Sequence, residues 1–260
     1  MDFSAIDWQQ PWLKPLRDIG CLLATSADWL QTANHLASER GLTNPTGKLV
    51  VFVPQDTLPE SVGYEAHIYA TGQVPTRDNL HDFFNALIWL HFPQTKRTLN
   101  QLQAQEIQRR PQTVLRGPQR DAATLFDENA ALFICSDPSM MRLLREHQWK
   151  PLLLDDPEHF SRTCKVVLFG HALLEKLVYP YKAITAHVWS VPVEGVEADA
   201  SVQLTDLDPY ISAVIAPGFA SRDFCHLPVL GVPGWWRSQD DVFYSDASVF
   251  RPLSVKSTAV

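Results

Sequence analysis

Residues 79–92 read Asn-Leu-His-Asp-Phe-Phe-Asn-Ala-Leu-Ile-Trp-Leu-His-Phe, and Pro93 follows. A step of about 100° per residue gathers Leu80, Phe83, Phe84, Leu87, Ile88, Leu90 and His91 on one broad apolar face, which predicts a core helix. Asp78 or Asn79 supplies its N-cap, and Pro93 stops the helix or kinks it into a second, Gln-rich one. The other side carries His81, Asp82, Asn85 and Trp89. A face turned to water usually holds Lys and Glu, whereas this one holds short hydrogen-bonding groups at spacings of three and four, so their side chains can converge in a cleft.

Upstream, Ser26 can cap a helix over Trp29, Leu30, Ala33, Leu36 and Ala37 that Gly41 ends. Leu49 to Val53 and Tyr64 to Ala70 are strand candidates, the second by alternation of Tyr64, Ala66 and Ile68 with Glu65, His67 and Tyr69. Downstream, Ala122 to Phe126 and Ala131 to Cys135 flank Asp127-Glu128-Asn129-Ala130 and read as a hairpin around a polar turn. Met140 to His147 is a short helix, Val167 to Val178 another with a strand-like start, and Ala183 to Val191 a strand. Past Pro192 the chain turns acidic and Pro-rich. Its end, Leu227 to Pro252, looks like an extended strap whose aromatics anchor it to the core. The expectation is an α+β fold: a single compact domain over 1–260 with a small, mostly antiparallel sheet, several helices and an extended C-terminal strap.

The 260 residues are 45% hydrophobic and 20% charged with a formal net charge of −7, which gives no chain-wide argument for nucleic acid or an anionic membrane. Charge is uneven locally. Lys96, Arg97, Arg109, Arg110, Arg116 and Arg120 form a basic segment that borders an acidic one. No apolar run reaches the roughly 18 to 20 residues a membrane helix needs, and Met1 to Leu13 does not read as a secretory leader. Cys21, Cys135, Cys164 and Cys225 show none of the paired spacings of zinc fingers or thioredoxin-like sites; they read as buried free thiols, which points to the cytoplasm. Neither a phosphate-binding glycine loop nor a Gly-x-Ser-x-Gly elbow is present, so nucleotide-dependent and α/β-hydrolase readings lack a motif.

Two groups can carry chemistry. His81, Asp82 and Asn85 form the first, as catalytic or substrate-orienting residues. In Gly170-His171-Ala172-Leu173-Leu174-Glu175-Lys176, His171 and Glu175 stand one helical turn apart, and His187 follows on the next strand; two imidazoles and a carboxylate suit one divalent metal ion with positions open for water or substrate. Each has a bland counterpart: Asp82 complementing a helix N-terminus, Trp89 packing on a second layer, His171 satisfied in the core, Glu175 paired with Lys176 or Lys182, and Asp127-Glu128 serving as ordinary turn acids.

The stretches Asn79 to Trp89, Arg120-Asp121 with Leu125-Phe126-Asp127-Glu128, Gly170 to Lys176, and Pro228 to Trp235 through Phe250-Arg251-Pro252 resemble an uncharacterised bacterial family, domain of unknown function 3025. The likeness runs from about Tyr64 to Pro252, with residues 1–63 packed on that region. It implies a bacterial protein that is nearly all this domain, and it carries no activity, cofactor or catalytic residue with it.

The leading expectation is a metal-dependent enzyme of hydrolase type, with His171, Glu175 and His187 as ligands and His81, Asp82 and Asn85 across the pocket, acting on a small molecule. One alternative is a non-catalytic binding or scaffold protein that meets a protein partner through the polar helix face, Trp89 and Trp235. A second is a ββα-metal nuclease built from strand, strand and helix over Leu49 to Phe92, with His67 on a strand and the basic segment holding phosphates.

Overall fold

Asn79 starts the helix that organises the molecule: its side-chain oxygen accepts the Asp82 N–H at 2.8 Å, and Leu80–His91 runs unbroken to the turn before Pro93. The computed structural model describes residues 2–109, 117–192, 204–215 and 220–253. In chain order the first part holds α1 (Arg17–Thr25), α2 (Trp29–Glu39), β1 (Val51–Pro54), α3 (Tyr64–Thr71), β2 (Gln73–Thr76), α4 (Leu80–His91) and α5 (Pro93–Arg109). Next come α6 (Pro118–Asn129), β3 (Ala130–Cys135), α7 (Pro138–Arg145), α8 (Trp149–Leu153), α9 (Pro157–Thr163), β4 (Cys164–Leu168) and α10 (His171–Lys176). The last are β5 (Thr185–Pro192), α11 (Leu204–Val214), β6 (Phe224–Pro228) and α12 (Asp241–Tyr244). The class is α+β.

The main sheet has the order β4-β3-β5-β6. Its outer pairs, β3 with β4 and β5 with β6, are antiparallel, while the central pair β3–β5 is parallel with Ala130 opposite His187. The expected mostly antiparallel sheet is therefore corrected to a mixed one. Every residue of β3 is buried, because helices and neighbouring strands cover both of its faces, and a strand buried on both faces loses the alternation that marks a half-exposed one. A separate two-stranded sheet pairs β1 and β2 in parallel, joined by α3.

α4 is interior on every side. Asp82 through Leu90 are all buried, with α2, α5 and α10 packed around them. Phe83, Phe84, Leu87 and Ile88 are each fully shielded, and such side chains contribute roughly 1.5 to 3 kcal/mol apiece. The expected polar face accordingly meets other helices, and Trp89 sits in the core with the Lys96 Nζ 5.4 Å from its ring centre. A partner cannot reach Trp89.

Four other local expectations change. Tyr64 to Ala70 is helix α3, which ends at Gly72 in the left-handed region (φ 79°); a Cβ there would also strike the Leu49 carbonyl. Only His67 and Ile68 of α3 are fully buried, with Tyr64, Glu65 and Ala66 partly so, and the short segment lacks an apolar stripe by which its period could be read. The hairpin over 122–135 is instead α6 followed directly by β3: Pro118 opens the helix, and Ala122, Ala123 and Phe126 bury its inner face. The stretch from Val167 to Val178 divides at Phe169-Gly170 into the end of β4 and α10. The C-terminal strap is less extended than expected, with a single 3-10 turn at Val229–Gly231 and the short α12. Tyr244 anchors it by donating to the Gly231 carbonyl at 2.7 Å, and Phe250 is buried. Arg110, Arg116 and the acidic stretch 193–203 lie outside the described residues.

Candidate metal centre

α10 packs against both α4 and α6, and each of the three helices brings one polar side chain to their junction: His81 from the first turn of α4, Glu128 from the last turn of α6, and His171 from the start of α10. The approach of α10 depends on Gly170. A Cβ on that residue would lie 2.5 Å from the Glu128 carbonyl and 2.6 Å from both Ala130 N and Asn129 Cα. Glycine thus lets the backbone before His171 rest against the backbone after Glu128, and the Gly170 N–H donates to Ala130 O at 2.8 Å.

Three ligand atoms result, all within 4.8 Å of one another. His81 Nε2 and His171 Nε2 are 3.1 Å apart, His171 Nε2 is 3.4 Å from Glu128 Oε2, and His81 Nε2 is 3.9 Å from the same oxygen. Donors held about 2.1 Å from one ion in tetrahedral or octahedral geometry stand roughly 3.0 to 3.4 Å apart. The observed triangle is close to that size.

A second layer orients the donors. Glu175 Oε2 lies 3.0 Å from His81 Nδ1, so the imidazole proton belongs on Nδ1 and the Nε2 lone pair faces the triangle. Burial, reinforced by Lys96 and His81 and opposed by Asp127, pushes His171 down to about 3, which leaves it neutral. Its Nδ1 is buried 4.0 Å from Asp127 Oδ1 and makes no hydrogen bond of normal geometry. Burial and then Asp127 push Glu128 up. A neutral imidazole and a carboxylate strained by desolvation both gain from a cation between them.

The triangle opens on a cleft of about 300 Å³ lined also by Tyr64, Glu65, Arg77, Asp82, Asn85 and Asp127. A buried relay crosses it. Lys96 Nζ donates to Asp127 Oδ1 at 2.6 Å and to Asn85 Oδ1 at 2.8 Å; the Asn85 amide in turn donates to the Tyr64 hydroxyl oxygen at 3.0 Å, so that hydroxyl's own proton is left to point elsewhere. Burial holds Tyr64 well above its usual range, and it stays a donor. Burial also raises Glu65, with Asp127 adding to it, and Asn100 Nδ2 donates to its Oε2 at 2.7 Å.

The signature of the family described as Protein of unknown function (DUF3025) matches residues 50–254. This chain belongs to that family. The DUF3025 match takes in β1 as well as the stretch from Tyr64 on which the resemblance was read, and it contains every residue of the triangle and its cleft. No curated protein and no solved structure matches the chain.

Within this DUF3025 chain the residues singled out in the sequence divide differently from their expected grouping. His81, Asp82 and Asn85 all line the cleft, as does His171. His81 belongs to the triangle of ligand atoms, however, while Asp82 is spent on Arg77, accepting from its backbone N–H at 2.6 Å, its Nε at 3.0 Å and its Nη2 at 3.1 Å. A carboxylate so committed is a poor base. Glu175 stands behind His81 instead of beside His171. His187 belongs elsewhere: on β5 its Nδ1 is 2.9 Å from Asn129 Nδ2 and its ring lies 5.0 Å from that of His226. The expected convergence of His171, Glu175 and His187 is thus corrected, because β5 pairs with β3 in a register that puts His187 beside Ala130, with its Nδ1 on the Asn129 amide and outside the group of ligand atoms. Glu128 takes the carboxylate place. Its apparent position in a turn hid it, as the helical reading of α6 was the missing signal. Tyr64 and Glu65 were hidden by the strand reading of α3, and that correction removes the strand-strand-helix order and the strand-borne His67 on which the nuclease alternative stood.

Proposed function

We propose that this protein is a metal-dependent hydrolase whose divalent ion is held by His81 Nε2, His171 Nε2 and Glu128 Oε2. The observation that carries this reading is the triangle itself: three donors of the right type at ligand spacing, with Glu175 fixing the tautomer of His81. Two imidazoles and one carboxylate would leave a divalent ion free to activate water for hydrolysis.

The chain's own residues supply the rest. Tyr64, polarised through Asn85 and Lys96, offers its O–H to a substrate oxygen that gains charge. Glu65 lines the cleft with Asn100 Nδ2 donating to its Oε2, and its pKa, raised by burial, suits it to take and return a proton. Arg77–Asp82 braces the mouth. A cleft of about 300 Å³ fits a small-molecule substrate better than a polymer.

A single continuous core from Ile6 to Phe250 supports reading residues 1–260 as one domain, and four unbridged thiols support a reducing, cytoplasmic setting. Among the described residues no helix is long and apolar enough to cross a membrane.

The test is turnover of small chromogenic esters and amides before and after chelation. Hydrolysis that disappears with the chelator, returns with a divalent ion and is missing in Glu128→Ala supports the reading. A protein that holds no metal and folds identically without it returns the chain to the binding or scaffold alternative.

A further inference from the structure

The two strands that frame the metal centre carry a second reactive pair at their other ends. β3 begins just after Glu128 and ends at Cys135, while β4 begins at Cys164 and ends shortly before Gly170. Cys135 and Cys164 are register partners in this antiparallel pair. The next position along carries a ladder bond, Ser136 N–H to Thr163 O at 3.0 Å. Such bonds alternate, so the cysteines occupy a non-hydrogen-bonded position, where side chains come closest and Cα atoms are typically about 4.5 Å apart. Disulfides span Cα separations of roughly 4.4 to 6.8 Å.

The two sulfurs are already 3.2 Å apart. Closing to the roughly 2.05 Å of a disulfide needs only small side-chain rotations, with the strands in place. Cys135 Sγ is also 3.1 Å from the Asp137 carbonyl, beside the start of α7. The hydrogen bond between the two sulfurs pushes the Cys135 thiol down and Cys164 up. Both side chains are buried, yet Cys164 lines a cleft of about 270 Å³ with Lys14, Phe160 and Trp235 on its walls. That space is large enough for a small oxidant.

We propose that Cys135 and Cys164 are a modification site, a dithiol that a small hydroperoxide oxidises to a cross-strand disulfide. In the first step a thiolate attacks one peroxide oxygen: an S–O bond forms, the O–O bond breaks, and the departing oxygen takes up the proton the thiol gave up. The neighbouring sulfur then attacks the sulfenic sulfur. The S–S bond forms, the S–O bond breaks, and hydroxide leaves as water with the second thiol's proton. Two thiols and one hydroperoxide give one disulfide, one alcohol (water, from hydrogen peroxide) and one water. The closed loop encloses α7, α8 and α9 and restricts the unfolded chain. This site stands on the two sulfurs alone and is independent of the metal reading.

The test treats the reduced full-length protein with hydrogen peroxide, blocks remaining thiols under denaturing conditions, and maps peptides without reduction. The expected result joins the Cys135 and Cys164 peptides, leaves Cys21 and Cys225 blocked as free thiols, and raises Tm by about 5 °C, all reversed by dithiothreitol. Cys135→Ser and Cys164→Ser should each abolish the linkage and the Tm rise. Both thiols still open to blocking after peroxide, linkage to Cys21 or Cys225 instead, or accumulation of sulfinic acid without a disulfide would each overturn the proposal. Should a serine variant fail to fold, the wild-type peptide map decides alone.

Discussion

Two pairs of histidines lie in close ring contact, and they differ in what surrounds them. His81 and His171 have centroids 4.5 Å apart, at the starts of two helices, with Glu128 completing the triangle of ligand atoms and Glu175 bonded to His81 Nδ1 behind it. His187 and His226 have centroids 5.0 Å apart, directly across β5 and β6, beside Phe224 and the Asn129 amide. Among the described residues no carboxylate joins this second pair at ligand distance. The second pair therefore offers two imidazoles without a third donor among these residues, whereas the first offers three. Carboxylates delivered by a helix end and a second helix distinguish the first pair, and the close helix approach at Gly170 makes that delivery fit.

The largest expected contrast is in metal content. His171→Ala should lose bound divalent metal altogether, whereas His187→Ala should keep the wild-type stoichiometry, both read by elemental analysis after dialysis. Equal losses in the two variants would dissolve the distinction. Next in size is Gly170→Ala, whose methyl meets three backbone atoms at 2.5 to 2.6 Å. Overpacking of this kind costs about 1 to 3 kcal/mol, so the denaturant midpoint should fall and metal occupancy should fall with it. A variant as stable and as metal-rich as the wild type would show that the helix approach is not constrained. A smaller effect is expected from Glu175→Gln, which keeps the shape but loses the charge behind His81. Metal affinity should drop about 10- to 100-fold in a competition titration with a chromogenic chelator, with an unchanged unfolding curve for the metal-free protein.

The smallest expected effect concerns pH and the second pair. Burial, with His226 and Lys176 adding to it, lowers the His187 pKa in the folded protein. The unfolded residue titrates near about 6.5, so below that pH the unfolded chain takes up the proton first. His187 thus contributes stability that is present above about pH 6.5 and is lost as pH falls through its lower folded value. His187→Gln should reduce the loss of stability between about pH 7.5 and pH 5.5 in urea titrations. An identical loss in the variant would mean that His187 is equally solvated in both states.

How much of this was legible follows from the range of the interactions. α4 was readable because apolar spacing, the Asn79 cap and Pro93 all act within a few residues. His81 and His171 could each be singled out from nearby residues, but their meeting could not, since 90 residues separate them and helix packing alone brings them together. α3 hid behind an accidental alternation, with too few buried residues to show a helical period. Glu128 hid because a buried helix running straight into a buried strand leaves no turn between them, and four polar residues there resemble one. The parallel β3–β5 pairing has no local signal at all, and it is what carries His187 away from the centre.

The most direct test is anomalous diffraction at the metal edge from crystals of the protein as purified. A single peak about 2.0 to 2.2 Å from His81 Nε2, His171 Nε2 and Glu128 Oε2, with Glu175 still bonded to His81, is the expected result. A peak between His187 and His226, or an ordered His81–His171 contact with no metal peak in crystals grown with a divalent ion, would contradict it.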